Sequence, residues 1–134
     1  MMVDSNESTR AGFHGPVLVV DDSPDFRNAM LDVLTDAGRQ VVLAENGEDA
    51  LLKLSKTRPC LILLDLKMPV MDGFEFLDEL AKLHLDIPVL AVSEHASLAP
   101  AERYPHLIGT LGKPFHIREL LSIIDEYCSG RQPE

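Results

Sequence analysis

The chain has 134 residues and a formal net charge of −10, with 22 acidic side chains against 12 basic ones, which disfavours direct binding to a nucleic-acid backbone. A chain of this length suits one domain, and such a domain buries roughly two thirds of its unfolded surface without needing staples. No apolar run approaches the roughly 20 residues that span a bilayer, and Cys60 and Cys128, without CxxC spacing or a secretory signal, read as buried thiols in a soluble cytoplasmic protein rather than as a disulfide.

Met1 to Gly15 is polar, lacks a sustained apolar period and reads as a flexible N-terminal tail. The domain is expected over residues 16–128, with a short C-terminal tail at 129–134. It opens on Val17-Leu18-Val19-Val20, a run with the composition of a strand buried on both faces, which ends at Asp21-Asp22. Ser23-Pro24 supplies a capping hydroxyl and a proline for the first helical turn. Phe26, Met30, Val33, Leu34 and Ala37 follow at helical spacing, and Gly38 is the stop.

Gln40 to Ala44 reads as the second strand, and Ala50, Leu51 and Leu54 mark the second helix. Cys60 to Leu64 reads as the third strand, ending at Asp65. The breakers Met68-Pro69 and Asp72-Gly73 precede a helix carrying Phe76, Leu77, Leu80 and Leu83. Pro88 to Val92 is the fourth strand, ending at Ser93. Pro100 and Pro105 leave room for only a short helix between Glu94 and His106. Leu107 to Leu111 forms a fifth, weaker strand before Lys113-Pro114, and Ile117, Leu120, Leu121, Ile124 and Tyr127 define the last helix.

Strands alternating with helices imply a parallel sheet covered on both faces with right-handed crossovers. In such a sheet the C-terminal strand ends line one edge, so Asp21, Asp22, Asp65, Ser93 and Lys113 share a pocket. Taken singly, each has a plainer role: turn and cap chemistry for the acidic pair, a first loop residue for Asp65, a helix cap for Ser93, a solvated charge for Lys113. Together, three carboxylates, a hydroxyl and an ammonium suit a divalent cation and a phosphoryl group. The five histidines show no ligand spacing, and Met30, Met68 and Met71 read as packing residues.

The segments VLVVDDSP, LILLDLKMPVMDG, VLAVSE and LGKPF resemble those of the response-regulator receiver domain of two-component signalling, over about Pro16 to Cys128. The resemblance implies the flavodoxin-like (βα)5 three-layer sandwich with a parallel five-stranded sheet of order 2-1-3-4-5. It also implies that Asp65 accepts a phosphoryl group from a sensor histidine kinase or histidine phosphotransfer protein. In that reading Asp22 and Asp65 ligate Mg²⁺, or Mn²⁺ in its place, Asp21 holds metal-bound water, and the backbone carbonyl of Lys67 completes the protein ligands. Lys113 and Ser93 attend the phosphoryl oxygens. The implied output is contact with a downstream protein or onward phosphorelay, with no enzymatic activity beyond self-phosphorylation from a phosphodonor and slow self-dephosphorylation, and with neither nucleic acid nor membrane as partner.

Several positions depart from the family's usual pattern. Thr110 stands three residues before Lys113, where many receivers carry the Tyr or Phe of an aromatic switch. Glu94 replaces the common small residue after Ser93, Lys67 and His95 occupy variable flanking positions, and the interval from Ser93 to Lys113 is short. Three other readings stand beside the stand-alone receiver: a receiver excised from a larger regulator or hybrid kinase, a pseudo-receiver that binds proteins without phosphorylation, and a small flavodoxin-like enzyme. The last lacks a glycine-rich phosphate loop.

Overall fold

The computed structural model describes residues 15–94 and 104–128; the expected tails, apart from Gly15, and the stretch 95–103, with His95 and Pro100, lie outside the described residues. The described elements are β1 (Val17–Val20), α1 (Pro24–Asp36), β2 (Val41–Ala44), α2 (Gly47–Leu54), β3 (Leu61–Leu64), α3 (Gly73–Lys82), β4 (Val89–Ser93), β5 (Leu107–Gly112) and α4 (Ile117–Cys128). The five strands form one parallel sheet in the order β2-β1-β3-β4-β5. The short helix allowed for between Glu94 and His106 falls largely on undescribed residues.

Burial follows position in the sheet. Every residue of β1, β3 and β4 is buried, whereas the edge strands β2 and β5 are only partly so. That is why the central strands are almost continuously apolar. Successive side chains point to opposite faces. Leu18, Val20, Ile62, Leu64, Val89 and Ala91 meet Ala50 of α2 and Phe76, Leu77 and Leu80 of α3. Val17, Val19, Leu61, Leu63, Leu90 and Val92 meet Met30 and Leu34 of α1 and Leu120 and Ile124 of α4. Each fully buried Leu or Val contributes about 1.5–3 kcal/mol relative to exposure, so the two faces hold the layers together.

Local signals set the helix limits. Ser23 caps α1, its hydroxyl accepting from the Phe26 amide at 3.2 Å, with Pro24 in the first turn. At the other end Gly38, at φ 85, lets the Arg39 amide reach the Leu34 carbonyl and its own amide the Thr35 carbonyl, both at 2.9 Å. Asp72 and Glu75 form a reciprocal capping box at the start of α3. Its last turn ends one residue earlier than the apolar spacing suggests: Leu83 is the C-cap and is half exposed, because the helix has already turned away through His84 at φ 57.

Two features lie outside what the linear pattern gives. The β4–β5 register skips Ile108, since Val89 pairs with Leu107 while Leu90 pairs with Gly109, a one-residue bulge on the edge strand. More consequentially, Cys60 and Cys128 form a disulfide, with Cα atoms 5.3 Å apart. The expectation of two buried thiols is therefore corrected. These residues are 68 positions apart, and they meet only because α4 crosses back over the sheet and ends beside the start of β3.

Candidate functional site

The ladder of the sheet delivers the site residues. The Asp21 amide donates to the Ala44 carbonyl at 3.1 Å and the Asp65 amide to the Val20 carbonyl at 2.9 Å, so Asp65 continues the β1–β3 pairing and comes to rest beside Asp21. In the same way the Lys113 amide donates to the Ser93 carbonyl at 3.2 Å, placing the lysine at the head of β4. Gly73 holds the loop after Asp65 close. A Cβ there would lie 2.7 Å from the Asp65 carbonyl oxygen and 2.7 Å from the Leu66 Cα, so only glycine permits this approach.

Around an open cavity of about 250 Å³ stand Asp21, Asp22, Ser23, Asp65, Lys67, Ser93, Glu94 and Lys113. Every residue singled out from sequence for this site thus reaches one place. Asp21 and Ser93 are buried to within 1 % and Asp65 to within 8 %, while Asp22 is exposed. Carboxylate oxygens of Asp21, Asp22 and Asp65 lie within 4.8 Å of one another. An all-oxygen donor set at this spacing fits a hard divalent cation such as Mg²⁺, which takes one or two carboxylates and completes its shell with water and phosphate oxygens.

The charges are arranged unequally. Lys113 Nζ donates to Asp21 Oδ2 at 2.7 Å, and the Ser23 amide donates to Asp21 Oδ1 at 2.9 Å. Asp65 accepts a longer bond, 3.4 Å, from the Lys67 amide, and it is hydrogen-bonded to the Ser93 side chain. Burial raises the Asp65 pKa above the ordinary carboxylate range, and the neighbouring Asp21 charge raises it further. Lys113, the Lys67 amide and Ser93 oppose the shift without cancelling it. Among the described residues no buried side-chain polar atom lacks a hydrogen-bond partner.

Some contributors were not singled out as site residues from the linear sequence. Phe26 lies under the lysine, with Lys113 Nζ 4.0 Å from its ring centroid, and Phe115 meets Phe26 edge-on at 6.4 Å. Arg27 Nη1 donates to the Asp21 carbonyl at 2.7 Å. Phe26 reads as an ordinary apolar residue of α1 because its helical spacing is the dominant signal, and nothing local links it to a lysine 87 positions on. Ser23, read as a cap, also lines the cavity. The Lys113-Pro114 peptide bond is cis. Thr110 sits exposed on β5, opposite Ala91.

Residues 17–125 match the family model of the response regulator receiver domain. A response regulator receiver protein from Anaeromyxobacter sp. (strain Fw109-5) is 33% identical over 79% of this chain and 45% of its own length. Sporulation initiation phosphotransferase F of Bacillus subtilis is also 33% identical, over 83% of this chain and 91% of its own. The chain therefore spans under half the length of the first relative and nearly all of the second. Among solved structures, the response regulator protein TrrA from Thermotoga maritima, in complex with Mg²⁺-BeF, superposes with a TM-score of 0.75 at 28% identity, covering 84% of this chain and 97% of that one.

Proposed function

The chain belongs to the response regulator receiver family of two-component signalling, and on that premise we propose that it accepts a phosphoryl group on Asp65. The observation that carries this reading is the Asp65 carboxylate itself. It is buried at the end of β3, within reach of two further carboxylates, and is flanked by a lysine and a hydroxyl around one open cavity. Phosphoryl transfer asks little covalent chemistry of a protein beyond positioning and charge neutralisation, and this set supplies both.

Receiver domains interact with histidine kinases or phosphotransfer proteins, and we assign this chain a donor of that class: a sensor histidine kinase or a histidine phosphotransfer protein. An Asp65 oxygen attacks phosphorus, a P–O bond forms as the P–N bond to the donor imidazole breaks, and the imidazole leaves as the neutral base after taking up a proton. Asp22 and Asp65 would hold Mg²⁺, with Mn²⁺ as a substitute, together with the Lys67 carbonyl, and Asp21 would hold a water of its shell. The cation supplies charge neutralisation for the phosphoryl oxygens. Lys113, now paired to Asp21 over the face of Phe26, stands ready to meet a phosphoryl oxygen, and the Ser93 hydroxyl exchanges its bond to the Asp65 carboxylate for one to the acyl phosphate. Slow hydrolysis of that acyl phosphate is the only turnover expected. The product signals by protein contact or passes the group onward, in the cytoplasm.

Incubation with acetyl phosphate and Mg²⁺ should add one phosphoryl mass to the protein, and Asp65→Asn should abolish the addition. Undiminished labelling of Asp65→Asn would move the acceptor elsewhere. No labelling of the wild-type chain by acetyl phosphate, phosphoramidate or a kinase would leave the pseudo-receiver, a phosphorylation-independent binding module, as the better reading; the intact acidic trio argues against it.

A further inference from the structure

The disulfide closes the end of the molecule opposite the acidic cavity. Cys60 immediately precedes β3, whose other end carries Asp65, so four strand residues, spanning about 13 Å, separate the sulfur from the site. Cys128 is the last residue of α4. The same helix end is held a second time: Arg39, in the turn between α1 and β2, donates through Nη1 to the Cys128 carbonyl at 2.7 Å and pairs through Nη2 with Asp125 at 2.5 Å. The segment's other end is fixed separately, by Lys113 on Asp21 and by Phe115 on Phe26.

Within α4 only Leu120, Ile124 and Cys128 are buried. The half-cystine is therefore the one fully buried anchor of the last turn; the rest of the grip comes from Tyr127, partly buried against the core, from the Arg39 bond to the Cys128 carbonyl, and from the Arg39 contact at a side chain of Asp125 that is 71% exposed. A domain of this size with two apolar layers does not need a staple to fold. The chain contains no third cysteine, so the two sulfurs have no competing intramolecular partner in either oxidation state.

We propose that Cys60 and Cys128 form a reversible redox site, a latch on the C-terminal turn of α4 that a dithiol opens and a disulfide of the same class closes. In opening, a thiolate of the dithiol attacks one sulfur of the pair, forming a mixed disulfide and releasing the other protein sulfur as a thiolate. The second thiol of the donor then displaces the remaining protein sulfur. The donor leaves as a disulfide, two electrons richer protein sulfurs take up two protons, and the chain carries two thiols. The Cys128 side is the point of entry, because a helix terminus opens more readily than the start of a central strand. The proposal rests on the signalling reading only for its reducing surroundings, in which a closed pair is regulatory rather than permanent. The opened helix end gives the domain an input that does not pass through Asp65.

The full chain, purified without thiol reagents, is treated with iodoacetamide before and after exposure to reduced dithiothreitol under native conditions. Each form is also followed by hydrogen exchange. The expected result is no adduct before reduction, two adducts after it, and about tenfold faster exchange confined to the end of α4, with β1 and β3 still protected and full reversal by oxidised dithiothreitol. Cys128→Ser should exchange like the reduced wild type under both conditions. Two adducts before reduction would overturn the proposal, since the pair would not close. So would reduction that succeeds only in denaturant, or exchange in α4 that is identical in both states. Acetyl phosphate labelling run alongside keeps the two readings apart: its failure in both redox states would count against Asp65 as acceptor and leave the latch standing.

Discussion

Asp65 carries a charge that the fold disfavours. Water stripped away by burial, and Asp21 beside it, hold its pKa above the ordinary aspartate value of 3.8. The folded chain therefore binds this proton more tightly than the unfolded chain. Stability associated with the protonated form is fully present below the unfolded pKa, declines as pH rises through the folded pKa, and leaves a constant penalty above it. Asp65→Asn removes the titrating group and keeps the shape. In the presence of a chelator, Asp65→Asn should be more stable than wild type at neutral pH, with the advantage vanishing near and below pH 3.8. Urea denaturation at several pH values checks both the sign and the window; an advantage independent of pH would mean that packing, not charge, is responsible.

Between β3 and α3 the backbone stores strain. The Met71 amide donates to the Pro69 carbonyl at 2.8 Å, closing a three-residue turn centred on Val70 at φ 69, a conformation poorly suited to a β-branched side chain. The turn is held from outside by the Gly47 amide, which donates to the Met71 carbonyl at 3.2 Å, and by the capping box of Asp72 and Glu75. Val70 is 72% exposed and recovers little by packing. Relief of left-handed strain outweighs the greater unfolded-state freedom of glycine, so Val70→Gly should stabilise the protein by about 1 kcal/mol. A thermal melt of the variant below that of wild type would contradict the argument. The breakers Met68-Pro69 and Asp72-Gly73 were legible beforehand; the strain was not, because a valine between Pro69 and Met71 carries no local mark of a positive φ.

Across the whole molecule, charge and covalent linkage act at opposite ends of the sheet. At the C-terminal end three carboxylates crowd together, and a pair 4 Å apart at an effective dielectric near 20 repels by roughly 4 kcal/mol. A ligand that binds only the folded site stabilises it by about 2.7 kcal/mol at a hundred times its dissociation constant. Mg²⁺ should therefore raise the melting temperature in a saturable manner, and Asp22→Ala should remove most of that rise. An equal rise in Asp22→Ala, by calorimetry, would exclude Asp22 from the ligand set. At the N-terminal end the disulfide closes a loop across 68 positions, for which loop-closure entropy gives about 4 kcal/mol.

The linear sequence already determined the elements, their parallel stacking and the chemistry at the strand ends. Apolar runs such as Val17–Val20 and Leu61–Leu64, short and followed by loop signals, favour buried strands between helices, and the right-handed crossovers of a parallel sheet then carry Asp21, Asp22, Asp65, Ser93 and Lys113 to one edge. Strand ends were less legible: Ser93 closes β4 rather than following it, and this accounts for its burial. What the tertiary structure alone decided are relations between residues far apart in the chain. Lys113 on Asp21 above Phe26, Arg39 on the end of α4, and Cys60 joined to Cys128 each require at least two crossovers to be placed correctly. Periodicity reports which face of an element is apolar, but it carries no record of which distant side chain that face, or its end, will meet.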